Sequence, residues 1–315
     1  MRVDKRIIVL LVLLTLIWGC GKAPERKSVT PIPGAPTKEP TISLFIKEQG
    51  VKKDIKLEEY LAGVVAAEMD PTWPESALAA QAIVARTFTM ENIQTGRVRE
   101  LHGTDASTDV EEFQAYNPDR INDRVRKAVA STRGEVITNR GNYIKAWFSA
   151  CDGGIAASAQ EGLAYFKKPT NYIQAGVRDD CLTITEPENK HWLARIPLTQ
   201  VRAAVRKISG ADPGSITQVT IAERGPSGRA TKFRIGSGVV SGPQLRLALG
   251  SEKVRSTLIS RTAIEGGNLI LEGKGFGHGV GLCQWGANKM ARAGKSATDI
   301  IRFYYRDVDI QKLWA

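Results

Sequence analysis

One acidic side chain stands where a carboxyl group could act as an acid. Residues 57–69, LEEYLAGVVAAEM, have the helical periodicity that puts Leu61, Val64 and Glu68 on one apolar face. Glu68 falls in the last turn, where the helix dipole disfavours a negative charge, and partial burial acts in the same direction. The pattern predicts a raised pKa and a candidate general acid. The alternative is a carboxylate paired with a basic residue such as Arg86.

A glycine-rich loop near the end of the chain carries the second candidate. Residues 275–281, GFGHGVG, have glycine at alternate positions, which lets the backbone approach a ligand closely. The loop lacks the spacing of a phosphate-binding or dinucleotide-binding loop. His278 is therefore a candidate binding residue, and Cys283 either forms a Cys–His pair with it or is a small buried residue. His102 and His191 have no spacing with His278 that predicts a metal site.

The remaining cysteines and acidic residues leave alternatives open. In an oxidising compartment, two of the three cysteines after residue 150 are expected to pair, and Cys151–Cys181 is the predicted disulfide because both lie in one loop-rich stretch. Cys283 would then be the free thiol. Metal ligation is the alternative, with Asp152, Asp179 and Asp180 as the nearest carboxylates. The acidic residues of the 101–116 stretch either supply a second carboxylate or form a solvated face: Asp105, Asp109, Glu111 and Glu112.

The first twenty residues indicate export. A basic start is followed by the apolar run Ile7–Trp18, which is too short for a spanning helix of about 20 residues but suits a signal peptide. The run ends in Gly19-Cys20, which resembles a bacterial lipobox, so residues 1–20 are predicted to be a signal segment with Cys20 as the lipidation site. An uncleaved anchor is the alternative. The expected location is therefore the extracytoplasmic face of a membrane.

The composition limits the kinds of partner that the protein could bind. The net charge of +11 suits a polyanionic partner, but the sequence has no zinc-finger spacing, RRM-like motif or block of basic residues, which argues against nucleic acid. Residues 21–40 hold five prolines and hardly any large apolar side chain, which predicts a stiff linker. Residues 41–315 would form one folded domain.

The pattern of elements predicts an α+β fold, with hairpins and helices mixed around a groove. Hairpins are expected at 41–57, 134–149 and 216–236, and helices at 57–69, 74–96, 122–131, 198–208 and 242–250. A strand is expected at 268–273, followed by the glycine-rich loop and two helices. Residues 97–120 and 150–190 are expected to be irregular.

Two long motifs, one at each end of the domain, resemble the SpoIID/LytB family, named for the stage II sporulation protein D and the amidase enhancer. The first is EEYLAGVVAAEMDPTWPESALAAQAIVARTFTM, and the second is GKGFGHGVGLCQWGANKMARAGKSATDIIRFYY. Between them, KAWFSACDGG is similar to the family's Gly-Gly loop, and SGPQLRLALG is similar to a further block. The resemblance covers residues 41–312.

The resemblance implies a peptidoglycan lytic transglycosylase that acts on glycan strands and needs no cofactor. Glu68 occupies the position of the family's catalytic Glu. Because the muramic 6-hydroxyl attacks its own C1, the second carboxylate of ordinary glycosidases is dispensable. The predicted groove residues are His278, Gln284, Gln114, Tyr116 and Arg86. The amidase-enhancer side of the family implies the alternative, a glycan-binding protein that stimulates a separate cell-wall amidase.

The sequence departs from the family's pattern at a few positions. Cys283 and Trp285 stand where many members have Ser and Tyr, and residues 148–149 lack a His found in some members. Some relatives carry zinc near this loop, and the missing His argues against it here. No metal site is therefore predicted. None of these departures affects Glu68.

Overall fold

The computed structural model of the chain describes residues 30–315. The predicted signal segment, Cys20 and residues 21–29 of the predicted linker lie outside the described residues. The helices of the described part are α1 (Leu57–Glu68), α2 (Glu75–Thr95), α3 (Arg97–His102), α4 (Asp123–Ser131), α5 (Ala159–Leu163), α6 (Pro187–Lys190), α7 (Leu198–Ser209), α8 (Gly242–Leu249), α9 (Gln284–Arg292) and α10 (Ala297–Tyr304).

The strands form several small sheets. They are β1 (Thr41–Ile46), β2 (Val51–Lys56), β3 (Ala106–Ser107), β4 (Glu135–Asn139), β5 (Asn142–Tyr143), β6 (Phe148–Ser149), β7 (Trp192–Pro197), β8 (Val219–Arg224), β9 (Ala230–Ile235), β10 (Gly238–Ser241), β11 (Ile259–Glu265), β12 (Asn268–Gly273), β13 (Leu282–Cys283) and β14 (Asp309–Lys312). The sheet orders are β2-β1-β3, β14-β4-β5, β13-β6, β11-β12-β7 and β10-β9-β8.

The first hydrophobic core is built around α1 and α2. α1 is buried on nearly every side, and α2 carries a long run of small apolar residues that lets α1, α4, α9 and α10 pack against it. Pro71 and Pro74 separate the two helices, and Gly96 ends α2 in a left-handed conformation with φ 73°. α1 therefore carries Glu68 to the edge of this core.

A second core lies between residues 192 and 271. There α7 and α8 pack against the sheets β11-β12-β7 and β10-β9-β8, whose inward faces carry Ile196, Phe233 and Leu271. The alternation of buried and exposed residues along β7 is typical of a strand with one face on a core. The glycine-rich loop follows β12 and returns the chain to the first core.

The α+β prediction is confirmed, and so are several elements. The hairpin β1–β2 pairs Thr41 with Lys56 and Ile46 with Val51 around a turn at Gly50, and α1, α2 and α4 match their predicted bounds closely. The hairpin β8–β9 and the strand β12 are also present.

Other elements differ from the prediction. The expected hairpin at 134–149 is short, because β4 pairs with only two residues of β5 and takes β14 as its other neighbour. β6 instead lies parallel to β13. The stretch 97–120 contains α3 and β3, and the strands β7, β10, β11 and β14 were not predicted.

The end of the predicted linker packs on the domain. Ile32 is buried in the first core, the carbonyl of Thr30 accepts a hydrogen bond from Gln311, and Glu39 pairs with Arg133. Among residues 30–315, none of the helices combines the length and hydropathy needed to cross a bilayer.

Candidate functional site

Glu68 is the last residue of α1, and both of its carboxyl oxygens are held. The backbone N–H of Ala115 donates to Oε1 at 2.8 Å, and the side-chain amide of Gln284 donates to Oε2 at 3.3 Å. Leu61 and Val64, which share its face of the helix, are fully buried. The apolar stripe thus fixes the direction of Glu68, and residues distant in sequence fix its carboxyl group.

The environment favours the protonated form of this carboxyl. Burial raises the pKa of Glu68, while the hydrogen bonds from Ala115 and Gln284 act in the opposite direction and do not cancel it. No basic residue of the described part of the chain forms an ion pair with Glu68. The alternative of a structural pair with Arg86 is therefore wrong.

Arg86 lies outside the candidate groove. It is fully buried and makes a two-pronged ion pair with Glu58 at the other end of α1, with Nη2 2.6 Å from Oε2 and Nε 3.0 Å from Oε1. Glu58 also accepts hydrogen bonds from the backbone of Gly134 and the indole of Trp314. Arg86 therefore belongs to a buried structural ion pair and cannot contact a strand, contrary to the prediction.

The segment around Ala115, whose N–H binds Oε1 of Glu68, also contains two predicted groove residues, Gln114 and Tyr116. Tyr116 is half-buried and stacks on Tyr60, with ring centroids 5.6 Å apart. Gln114 is buried, and its amide donates to Thr89 at 3.0 Å. Tyr116 can thus line a surface near Glu68. Gln114 instead fixes this segment to α2 through its hydrogen bond with Thr89.

A cleft of about 610 Å³ is lined by residues that pack on the first core and on the second, and Glu68 and the residues that bind its carboxyl group are not among them. Val110 lines it from the loop that continues to Ala115, and Ser149 lines it from β6. Ser149 of β6 pairs with Cys283 of β13, and Cys283 is the residue directly before Gln284. The hydroxyl oxygen of Ser149 is buried with no hydrogen-bond partner in the described part of the chain, which makes it available to a ligand.

His278 also lines this cleft. Its Nδ1 accepts a hydrogen bond from the backbone of Val280 at 3.0 Å, and Arg246 of α8 lies across from it. Burial, helped by Arg246 and Arg229, lowers the pKa of His278 to about 3. The ring is therefore neutral at neutral pH. Because Nδ1 is the acceptor, the neutral ring carries its proton on Nε2, which can donate a hydrogen bond but supplies no charge.

The other predicted candidates are engaged elsewhere. His102 lies 2.6 Å from Glu112, and His191 lies 3.3 Å from Glu272, so neither approaches His278. The remaining acidic residues of the 101–116 stretch mostly form ion pairs, Asp105 with Arg99 and Asp109 with Lys47, and Glu111 is exposed at the cleft. No charged side chain of the described residues contributes to the shift in the pKa of Glu68.

The three cysteines meet directly behind the site. The sulfurs of Cys151 and Cys181 are 3.3 Å apart, beyond the roughly 2.05 Å of a disulfide, so both are thiols in this structure. Cys283, expected to stand apart, joins them, and the three sulfurs lie within 4.8 Å of one another. Its sulfur also caps the N-terminus of α9, which begins with Gln284. The cysteine cluster therefore supports the residue that holds Glu68.

Carboxylates surround the same cluster. Asp152 and Asp179 lie within 4.8 Å of the sulfurs of Cys181 and Cys283, and the hydroxyl of Tyr304 donates to Asp179 at 2.7 Å. Burial and the charge of Asp179 raise the pKa of Asp152 to about 7. Thiolates together with a carboxylate are a donor set that suits zinc. Asp180, named as a candidate from the sequence, is exposed and lies near Lys289 instead.

Sequence reasoning missed the aromatic wall beside Gln284. The rings of Trp73 and Trp285 are 4.7 Å apart, and Trp285 is half-buried next to Gln284. Trp73 lies in the turn between α1 and α2, five residues after Glu68. The available signal was the Trp73-Pro74 turn within the first family motif.

Two family models match the chain on either side of the cleft. Residues 47–139 match the SpoIID model, described as Stage II sporulation protein. Residues 183–281 match a model described as a domain of unknown function (DUF8618). The first match contains Glu68, and the second contains His278.

Relatives match over most of the chain. The Stage II sporulation protein D of Bacillus amyloliquefaciens is 30% identical, over 82% of this chain and 75% of its own length. An uncharacterized protein of Brachyspira hyodysenteriae is 31% identical, over 82% of this chain and 68% of its own. The amidase enhancer of Bacillus subtilis is 27% identical, over 78% of this chain but 39% of its own. The chain belongs to the SpoIID/LytB family.

Proposed function

We propose that the chain is a peptidoglycan lytic transglycosylase in which Glu68 is the single acid and base. The observation that carries the proposal is the state of the Glu68 carboxyl group. It is half-buried, unpaired by any cation of the described residues, and its pKa is raised. These are the properties that a general acid needs near neutral pH.

The reaction needs only one carboxyl group. Protonated Glu68 gives its proton to the glycosidic oxygen as the bond to C1 of the muramic residue breaks. The carboxylate then removes the proton from the 6-hydroxyl of the same sugar, whose oxygen bonds to C1. The product carries a 1,6-anhydro end, and no water is consumed. No charged side chain of the described residues contributes to the shift in the pKa of Glu68, which fits a reaction with a single carboxyl group.

The hydrogen bonds to Glu68 suit both steps. The donors Ala115 N–H and Gln284 Nε2 stabilise the carboxylate that forms after the first proton transfer, while burial stabilises the acid present before it. The pKa is thereby kept between the extremes that either effect alone would give. Trp285 and Tyr116, both half-buried, would flank the sugar at the reacting bond.

Product analysis tests the proposal. The full chain, solubilised in detergent, is incubated with glycan strands stripped of stem peptides, and the products are identified by mass spectrometry. New 1,6-anhydro-muramic ends are expected. Strands that stay intact while the protein binds them would exclude the enzyme.

A second function is supported by a different observation. The amidase enhancer of Bacillus subtilis is among the relatives, and a cleft that binds glycan needs no chemistry to present a strand to another enzyme. We infer this role only if strands remain intact. It would then be measured as a faster release of stem peptides by a cell-wall amidase when the chain is added, with Glu68→Gln stimulating as well as wild type.

We also propose that the protein works outside the cytoplasm, held on a membrane through Cys20. The support is the basic, apolar and Gly-Cys sequence of residues 1–20, together with the basic net charge, which suits anionic surfaces. Cys20→Ser is expected to release the protein from membranes or leave an uncleaved precursor. Unchanged size and full membrane retention would instead indicate an uncleaved anchor.

A further inference from the structure

A second cavity, of about 520 Å³, lies outside the Glu68 site and is lined largely by aromatic and basic side chains. Phe88 of α2, Trp147 and Tyr165 form its walls. The rings of Trp147 and Tyr165 meet edge to face with centroids 5.0 Å apart. All three side chains are half-buried, so each presents part of its ring to the cavity. Half-buried aromatic walls with a few polar groups are typical of ligand sites.

The cavity carries an excess of positive charge. Of its four cations, only Lys145 has an ion-pair partner among the described residues, Glu91 at 2.6 Å. The other three cations, Arg97, Lys167 and Lys168, are exposed at the rim without such a partner. Unpaired cations around an aromatic cavity complement a ligand that combines an apolar face with a negative charge.

The walls are held in place before any ligand binds. The carbonyl of Trp147 accepts hydrogen bonds from the hydroxyl of Tyr305 and the backbone of Leu282, and the backbone of Lys145 donates to the hydroxyl of Tyr172. On the floor, Oε2 of Glu91 is buried without a hydrogen-bond partner in the described part of the chain. An unsatisfied acceptor of this kind suits a hydroxyl-rich ligand.

The cavity adjoins the first cleft across an aromatic boundary. Phe88 packs against Phe148, which lines the first cleft, with centroids 6.3 Å apart. Phe88 also packs against Phe113 at 5.2 Å, two residues before the Ala115 that holds Glu68. An extended chain of sugars lying across this boundary would contact both sites.

We propose that this second cavity binds a carboxylate-bearing sugar of the strand, away from the bond that is cleaved. The inference rests on the proposed glycan substrate. The apolar face of the sugar lies on Trp147 and Tyr165, and its lactyl carboxylate lies among Lys167, Lys168 and Arg97. In strands that keep their stem peptides this carboxylate is an amide, so those strands lack the negative charge that the three cations would bind.

Charge reversal tests the assignment. Lys167→Glu with Lys168→Glu is compared with a matched control, Lys190→Glu with Lys253→Glu, which changes the net charge equally at exposed lysines outside the cavity. The full chain in detergent is titrated with stripped strands, with peptide-bearing strands and with chitin oligosaccharides of equal length, which lack the lactyl group. For stripped strands, we expect the Kd of the cavity variant to rise about tenfold relative to the control.

The other ligands and a second variant complete the test. The Kd of the cavity variant for chitin oligosaccharides should stay within about twofold of wild type. Tyr165→Ala, if its melting temperature shows that it is folded, should weaken binding of both saccharides. Equal losses in the two double variants, or equal losses for stripped strands and chitin, would overturn the proposal. These are binding measurements, so they remain decisive even if no strand is cleaved.

Discussion

Replacing Glu68 with Gln separates a catalytic carboxyl group from a structural one. The substitution keeps the size of the side chain and leaves an amide oxygen to accept the Ala115 N–H at Oε1. The amide of Gln284 can turn so that its oxygen accepts from the new NH₂ group. The perturbation therefore removes the exchangeable proton and little else.

The effect on stability should be small. At most one hydrogen bond is weakened, which costs about 0.5–1.5 kcal/mol. The raised pKa of Glu68 means that the folded state loses stability as pH rises from the unfolded pKa through the folded one, because a buried group must then carry charge. Gln removes that cost, so above this range the two effects offset. We expect the free energy of unfolding to change by less than about 1 kcal/mol, or a few degrees in Tm.

The effect on cleavage should be large. Glu68 acts in both proton transfers, and each such transfer typically contributes about 10²–10⁴-fold. We expect cleavage to fall at least about a thousandfold, which corresponds to roughly 4 kcal/mol, with the Kd for strands unchanged. The assays are release of anhydro-muramic ends, strand titration and thermal melting.

Glu58→Gln is the matched control on the same helix. Because Glu58 pairs with buried Arg86, its replacement should lower Tm strongly, whereas Glu68→Gln should not. If Glu68→Gln also unfolds the protein, Glu68 is a structural residue. If it stays folded and still cleaves, another group supplies the proton.

Three further predictions follow from the same geometry. The rate of cleavage should fall as pH rises through the raised pKa of Glu68, because the acid form is consumed, and a rate that rises over that range would assign the group a purely basic role. Arg86→Ala should destabilise the fold by about 3–5 kcal/mol in denaturant unfolding, because it leaves Glu58 buried and unpaired, whereas a change below about 1 kcal/mol would show that water replaces the ion pair. A non-reducing peptide map of the exported protein should join Cys151 to Cys181 and close a loop worth about 3–4 kcal/mol, whereas reduced thiols holding zinc would favour the metal alternative.

Local patterns were enough to predict the elements with strong periodicity or turn signals. The stripe of Leu61, Val64 and Glu68 correctly predicted α1 and the partial burial of its last residue, because a helix of this composition must turn one face to a core. The family resemblance assigned Glu68 and Gln284 to the same groove, and the two residues, 216 apart in sequence, are in contact. Spacing alone could not have done so.

The predictions that failed concern residues and strands whose positions are set by partners far away in the sequence. Arg86 was counted as a groove residue because its helix carries a family motif, but the direction of the side chain is set by Glu58. The strand β7 was missed because its hydrogen-bonding partner, β12, is distant in sequence. β11 carried a local signal that was not used, because Gly266-Gly267 joins it to β12 in an antiparallel hairpin. Cys283 was set apart because it is far from Cys151 in sequence; the parallel pairing of β13 with β6 places it opposite Ser149, two residues before Cys151.

The central claim is that Glu68 directs an attack by the sugar's own hydroxyl group, and the fate of solvent oxygen tests it most directly. Stripped strands are incubated with wild type or with Glu68→Gln in water enriched in heavy oxygen, and the masses of the new ends are measured by mass spectrometry. The account predicts anhydro ends that contain no heavy oxygen with wild type and no new ends with the variant. Heavy oxygen at the new ends would show that water is the nucleophile, and equal cleavage by the variant would remove Glu68 from the reaction.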